Sequence, residues 1–421
     1  MPAVAATHED RSMNEQAQTL QGAPLFNPQS PEFIANPYPF YHRLRAVDPM
    51  HRTPIGLYIV SRHADITAIL RDKRFGKDFA GRMSRRFGPQ ILDEPIYRSM
   101  SHWMLQQDPP DHGRLRGLVV RAFTARRVED MRPRIQAIVD AIIDRVAPRG
   151  HMDLIADFAF RLPVIVICDM LGIPQEHREV FFGSSRAGGR LLDPAPLTRA
   201  EIDEHNNYNL ASAEYFRSLF ELRRRQPGDD LTTQLVQAEE QGNKLTNEEL
   251  TANIILLFGA GHETTVNLIG NGLLALHRNP DQLRLLIEDP SLAANAVEEL
   301  LRYDSSVQVT GRTTLEDVDE IGGIALPQGQ SVVCLLGSAN RDPAVYADPD
   351  KLDIKRADVR PLSFGGGIHY CLGAQLARIE GEIAIATLLR RLPELRLDDI
   401  DHPDWRQTFV LRGLNKLPAS W

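Results

Sequence analysis

One large, mainly α domain with a small β-rich region is the fold class this sequence predicts, and three observations predict it. Apolar residues recur at helical spacing through most of residues 113–280. Apolar runs broken by Gly322-Gly323 and Pro327-Gln328-Gly329 fill 310–340 and close on SVVCLLG, the pattern of hairpins ending in a buried strand. No Gly/Ser linker and no repeat of fixed period divides the chain, so 24–421 reads as one domain behind a polar, patternless tail at 1–23.

Taken in order, GLYIVSR at 56–62 predicts a short strand, followed by a helical stretch through Ile66 to Leu70. Residues 74–100 show no clear period and are expected to be irregular, a candidate binding loop. The helical middle is interrupted by loop signals at Ala147-Pro148-Arg149-Gly150, Asp193-Pro194-Ala195-Pro196 and Gln226-Pro227-Gly228. Thr246-Asn247-Glu248-Glu249 is a capping-box start, and the helix it opens should run to about Arg278, ahead of Asn279-Pro280. At about 1.5 Å per residue that helix is on the order of 50 Å long, enough to cross the molecule. A late helix is expected around 373–392, with Leu376, Ile379, Ile383 and Leu388 near helical spacing.

Composition narrows the function. With 43% hydrophobic and 25% charged residues the chain is globular rather than disordered. A net charge of -8 gives no bulk basic field for nucleic acid. Cys168, Cys334 and Cys371 are odd in number and widely spaced, which argues against a disulfide framework and for a reducing, cytoplasmic location. The amino terminus has no apolar core of a signal peptide, and no run of about 18 apolar residues predicts a membrane span.

Two segments carry chemistry. The long helix has apolar flanks but a polar waist, Gly259-Ala260-Gly261-His262-Glu263-Thr264-Thr265. Buried polar groups and helical glycine both cost free energy, and such violations usually mark function. A zinc-protease reading of His262-Glu263 fails because Val266 stands where the second histidine is required. Back-bonding to the preceding helical turn is expected of Thr265 rather than Thr264. The second segment, Phe364-Gly365-Gly366-Gly367-Ile368-His369-Tyr370-Cys371-Leu372-Gly373, runs straight into the late helix. Its glycines permit positive φ and close approach of a flat ligand, while backbone N–H groups at a helix start stabilise an anionic sulfur. The residues alone equally permit a glycine-rich turn holding an inert cysteine.

This second segment resembles the Phe-x-x-Gly-x-x-x-Cys-x-Gly pattern of the cytochrome P-450 superfamily, matching at Phe364, Gly367, Cys371 and Gly373. The resemblance spans about 24–421 and implies the mainly α fold of that family, with haem b between the long helix and the cysteine loop. It makes Cys371 the axial thiolate on iron and His369 a propionate contact, with Phe364, Gly365, Gly373 and Ala260 also against the haem. The waist is similar to the family's oxygen-activating motif, which assigns proton delivery to Glu263 and Thr264. Cys168 and Cys334 keep the reading of buried, inert side chains.

Other motifs gain meaning only from the resemblance. Glu299 and Arg302 stand at i,i+3, a spacing that also occurs at Glu129/Arg132, Glu214/Arg217 and Glu221/Arg224, and alone it means a solvated ion pair. The family keeps a buried Glu-x-x-Arg pair with a later arginine, here matched to Arg356. His112 and Arg116, at i,i+4, resemble its propionate-binding pair, and Arg312 its further propionate arginine. Arg114, Arg121, Arg126 and Arg127 form a local basic cluster that, by the resemblance, would meet an acidic ferredoxin or flavodoxin served by a reductase.

The implied function is a monomeric monooxygenase that hydroxylates a C–H bond of a lipophilic small molecule with O2 and electrons from NAD(P)H. Its substrate contacts are expected from 79–103, the region near 183–195, Leu256 to Gly261, Val307 to Gly311 and Phe409 to Leu411. Arg82, Arg85 and Arg86 could receive a substrate carboxylate or simply be solvated. A peroxide-using peroxygenase and a non-catalytic haem-dependent sensor stand as alternatives.

Overall fold

A computed structural model describes residues 25–120, 123–178, 188–240 and 245–421 of the protein. The expectation of a tail at 1–23 lies outside the described residues. Helices dominate, and the strands collect into one five-stranded sheet and three small ones. The larger sheet runs, edge to edge, Met50–Arg52, Tyr58–Val60, Ser331–Leu335, Val309–Thr314 and Phe75–Gly76. Among the described residues its one parallel pairing joins Tyr58–Val60 to Ser331–Leu335, so segments far apart in the chain share the sheet. The hairpin expected around Gly322-Gly323 pairs Val318–Ile321 with Ile324–Leu326.

The long helix spans Asn247–Arg278, with Thr246 and Glu249 forming the reciprocal capping box. Its two halves enter different cores. Leu250 to Phe258 pack with Ile167, Phe216 and Phe220, whereas Val266 to Leu276 pack with Ile138, Ile142 and Leu300. The polar waist therefore falls at the seam between two hydrophobic clusters, which is how one helix carries both apolar flanks and polar chemistry. The late helix, Ala374–Arg391, crosses the second half closely. A Cβ on Gly381 would lie 3.1 Å from Leu268 Cδ2, so the bare glycine permits that crossing.

Residues 74–100 correct the expectation of irregular chain. After the edge strand, Phe79–Phe87 and Pro95–Met100 are helical, joined by a tight turn of helix at Pro89–Asp93. Phe79 and Met83 stand at i,i+4 and both are buried, so packing holds a helix whose glycine, serine and aromatic residues have modest helical propensity. Pro95 occupies the first position of the next helix, where its missing N–H costs nothing.

Candidate active site

The cysteine loop is shaped by backbone constraints that sequence order alone imposes. Phe364 O accepts from the Cys371 N–H at 3.0 Å, closing the loop on itself. Gly365 and Gly367 have positive φ, and a Cβ on Gly367 would sit 2.0 Å from the Leu70 carbonyl oxygen. Arg378, one turn into the late helix, lies over the Phe364 ring and pairs with Glu298. The loop thus delivers Cys371 to a cavity of about 150 Å³.

Ala260 and Thr264 from the long helix, His112 and Arg116 from the Asp111–Val120 helix, and His369, Cys371 and Gly373 from the loop all line this cavity. Cys371 opens onto it. Burial raises the Cys371 thiol, while the Gly373 N–H and the Arg116 and Arg378 guanidiniums favour its anion. By contrast Cys168 and Cys334 are fully buried thiols pushed up to about 12, as inert side chains should be.

One edge of the cavity gathers imidazole and guanidinium groups. The His112 and His369 rings lie 4.4 Å apart, and Arg116 Nη2 donates to the Tyr370 carbonyl at 2.7 Å. Arg312 is buried beside them, donating to Thr310 Oγ1 and Gly311 O. Burial first, then Lys77 and the arginines, pushes His369 down to about 2. His369 Nε2 is buried with no partner, and the space beside Gly373 where a Cβ would stand is open. The Cys371 sulfur, the open space beside Gly373 and a rim of arginine and histidine nitrogens that includes the unpartnered His369 Nε2 fit haem b, the thiolate suiting its iron and the rim its propionates.

The remaining expected residues are placed differently. Glu263 is buried but does not line the cavity, and it accepts from Arg406 Nη1 at 2.8 Å. Thr264 Oγ1 donates to Ala260 O at 3.0 Å, while the Thr265 contact to Gly261 O is longer at 3.4 Å. This reverses the expected order, because the Glu380 carboxyl draws the Thr265 hydroxyl. Phe364 and Gly365 form the back of the loop rather than the cavity wall. Behind them, Arg302 donates to both oxygens of Glu299 at 2.7 Å and Arg356 Nε adds a third bond at 3.2 Å. Arg302 is 0% exposed, unlike the solvated pair Arg126–Asp130.

Among the expected substrate segments, Leu256 to Gly261 contributes to the cavity wall, which Met104, Leu105 and Ile167 complete. The region near 183–195 is described only from Gly188, and there Asp193 accepts from the Phe409 and Val410 N–H groups. Of the basic cluster, Arg121 lies outside the described residues, and Arg114 is committed to Glu249 and Asp111.

Sequence reasoning missed three residues. Glu380 is a buried acid lining the cavity floor, pushed up to about 8 by burial, with Oε2 lacking a partner. An acid on the apolar stripe of Leu376, Ile379 and Ile383 was the available signal. Arg406 and Lys77 gave none, since their importance comes from chain segments far away.

The cytochrome P-450 family profile matches residues 202–291 and 287–412. The chain is 42% identical over 410 residues to the vitamin D(3) 25-hydroxylase of Pseudonocardia autotrophica, covering 96% of this chain and 98% of that protein. It is 42% identical over 399 residues to the monooxygenase PikC of Streptomyces venezuelae, covering 93% and 92%. Among solved structures, P450BioI bound to acyl carrier protein carrying hexadec-9Z-enoic acid superposes with a TM-score of 0.86 at 40% identity, covering 93% of this chain and 99% of that one.

Proposed function

The chain belongs to the cytochrome P-450 family of haem b monooxygenases, and we propose that it hydroxylates a lipophilic small molecule using O2 and electrons from NAD(P)H through a ferredoxin- or flavodoxin-type partner. One observation carries the reading: Cys371, the waist residues Ala260 and Thr264, and His112, Arg116 and His369 all line one cavity. Apart from these residues, Thr265, Tyr370 and Glu380, the cavity wall is apolar, which supports a lipophilic substrate.

In this reading Cys371 would hold the iron, and His112, Arg116, Arg312 and His369 would hold the propionates. The haem, when bound, supplies activation of dioxygen. The protein supplies position and protons. Thr264 Oγ1, now donating to Ala260 O, can rotate its hydroxyl hydrogen into the cavity and accept a replacement from water. Glu380, with its carboxyl pushed up to about 8, stays protonated at neutral pH and stores a proton beside the Thr265 hydroxyl. Glu263, paired with Arg406, would pass protons when that pair loosens. Three unpaired cysteines support the cytoplasm as the compartment, and no helix among the described residues is long and apolar enough to cross a membrane.

The test is the carbon monoxide difference spectrum of the dithionite-reduced wild type beside Cys371→Ala, followed by aerobic turnover with a surrogate ferredoxin and reductase. A strongly red-shifted Soret band in wild type alone, with product formed in step with NAD(P)H consumption, is expected. Product formed equally well from hydrogen peroxide without any partner would turn the reading to a peroxygenase. A haem-bound wild type without the band would turn it to a sensor.

A further inference from the structure

Lys77 follows the edge strand Phe75–Gly76, and the fold turns its side chain inward to 7% exposure. A lysine ammonium has three N–H donors on a flexible stem and normally reaches water. Here Nζ donates to the Gly311 carbonyl oxygen at 3.1 Å, and that same oxygen accepts from Arg312 Nη1 at 2.9 Å. Two cationic side chains thus converge on one neutral acceptor.

No compensating anion reaches Nζ among the described residues. Asp108, the acid acting on Lys77, spends its carboxylate on backbone, accepting from the Lys77 N–H at 2.8 and 3.0 Å and from the Asp78 N–H at 2.8 Å. Burial first, then the Arg312 and Arg82 guanidiniums, presses the ammonium well below its ordinary range. A buried cation crowded by other cations is strongly unfavourable unless it gives up its proton or an anion joins it, and a joined anion keeps all three N–H donors in use. The neighbouring His369, which feels Lys77 and Arg312 alike, presents a buried Nε2 with no partner. Lys77 and Arg312 thus share one carbonyl oxygen while the His369 Nε2 beside them has no protein partner.

We propose that Lys77 is a further haem-propionate contact, joining Arg312 on one carboxylate, tightening haem retention and raising the ferric/ferrous potential. The proposal rests on the haem-thiolate reading of the cavity. A positive charge at the haem edge favours the form with one electron more, so removing it shifts the midpoint negative. Lysine suits a point contact to a carboxylate already gripped by arginine, because its compact ammonium needs no planar alignment.

Holo wild type, Lys77→Met, Lys77→Gln and Lys77→Arg are compared by haem transfer to excess apomyoglobin and by potentiometric titration. Methionine and glutamine should release haem on the order of tenfold faster, the factor a charge-assisted hydrogen bond supplies, with a more negative midpoint, while arginine stays near wild type. All four should keep the red-shifted carbon monoxide band. Unchanged release and midpoint in both neutral variants overturn the assignment, whether they alter only unfolding temperature or only weaken the spectral shift caused by a fatty acid. The latter would make a substrate carboxylate the anion. A wild type lacking the band fails the haem-thiolate reading itself.

Discussion

Arg406 Nη1 donates to Glu263 Oε1 at 2.8 Å, joining the waist of the long helix to the chain beside the last strands, with Glu263 buried and Arg406 half-buried. Removing one member of such a pair leaves an uncompensated buried charge, costing roughly 3–5 kcal/mol. Arg406→Met should therefore lower the denaturation midpoint clearly, and Glu263→Gln in the same background should recover part of the loss. Equal stability of wild type and Arg406→Met would show that the pair is not held in solution.

Thr264 is the only waist hydroxyl that both lines the cavity and back-bonds to Ala260 at ordinary distance. Thr264→Ala should leave NAD(P)H consumption measurable while product per NAD(P)H falls by about tenfold or more, with hydrogen peroxide accumulating instead, since a positioned proton donor contributes at least that much. Retained coupling would move the proton donor elsewhere, Glu380 first.

The Glu380 carboxyl, pushed up to about 8 from an ordinary value of 4.5, binds a proton more tightly folded than unfolded. Its stabilising contribution is complete below the unfolded value and is lost as pH rises through the folded one. Wild type should lose stability relative to Glu380→Gln between about pH 4.5 and 8, by up to about 1.4 kcal/mol per pH unit. Parallel pH profiles of the two unfolding free energies would contradict this.

Gly367 combines φ of +66° with a Cβ position 2.0 Å from the Leu70 carbonyl oxygen. The backbone strain alone costs an alanine about 1–3 kcal/mol, and the clash forces the loop off Leu70. Gly367→Ala should purify with a much reduced Soret-to-protein absorbance ratio, whereas Gly113→Ala, in open space on a helix, should not. A full haem complement in Gly367→Ala would refute the loop geometry.

Glu299 takes bonds from Arg302, Arg356 and the Asp353 N–H, and none of its surface meets water. Glu299→Gln should cost about 3–5 kcal/mol and cut soluble yield sharply, and Arg302→Lys should not substitute for arginine because only the planar fork spans both oxygens. Wild-type yield from either variant would relegate the triad to the class of solvated pairs.

By itself the sequence determined whatever lies within a turn or two of chain: the capping box at Thr246 and Glu249, the i,i+4 placement of His112 and Arg116, and the glycine-bounded path from Phe364 to Cys371. Those features obey local rules of spacing and backbone conformation, so they can be read without knowing what packs on them. The tertiary structure alone decided what burial does to polar groups. It made Phe79–Phe87 a helix through the burial of Phe79 and Met83, against modest local propensity. It brought Arg406 to Glu263, Thr265 to Glu380, and Lys77 to the carbonyl already used by Arg312. Each pairing joins segments separated by more than a hundred residues, and the strength of a charge or hydrogen bond there is set by the low dielectric and scarce water around it. Neither quantity exists until the chain has folded.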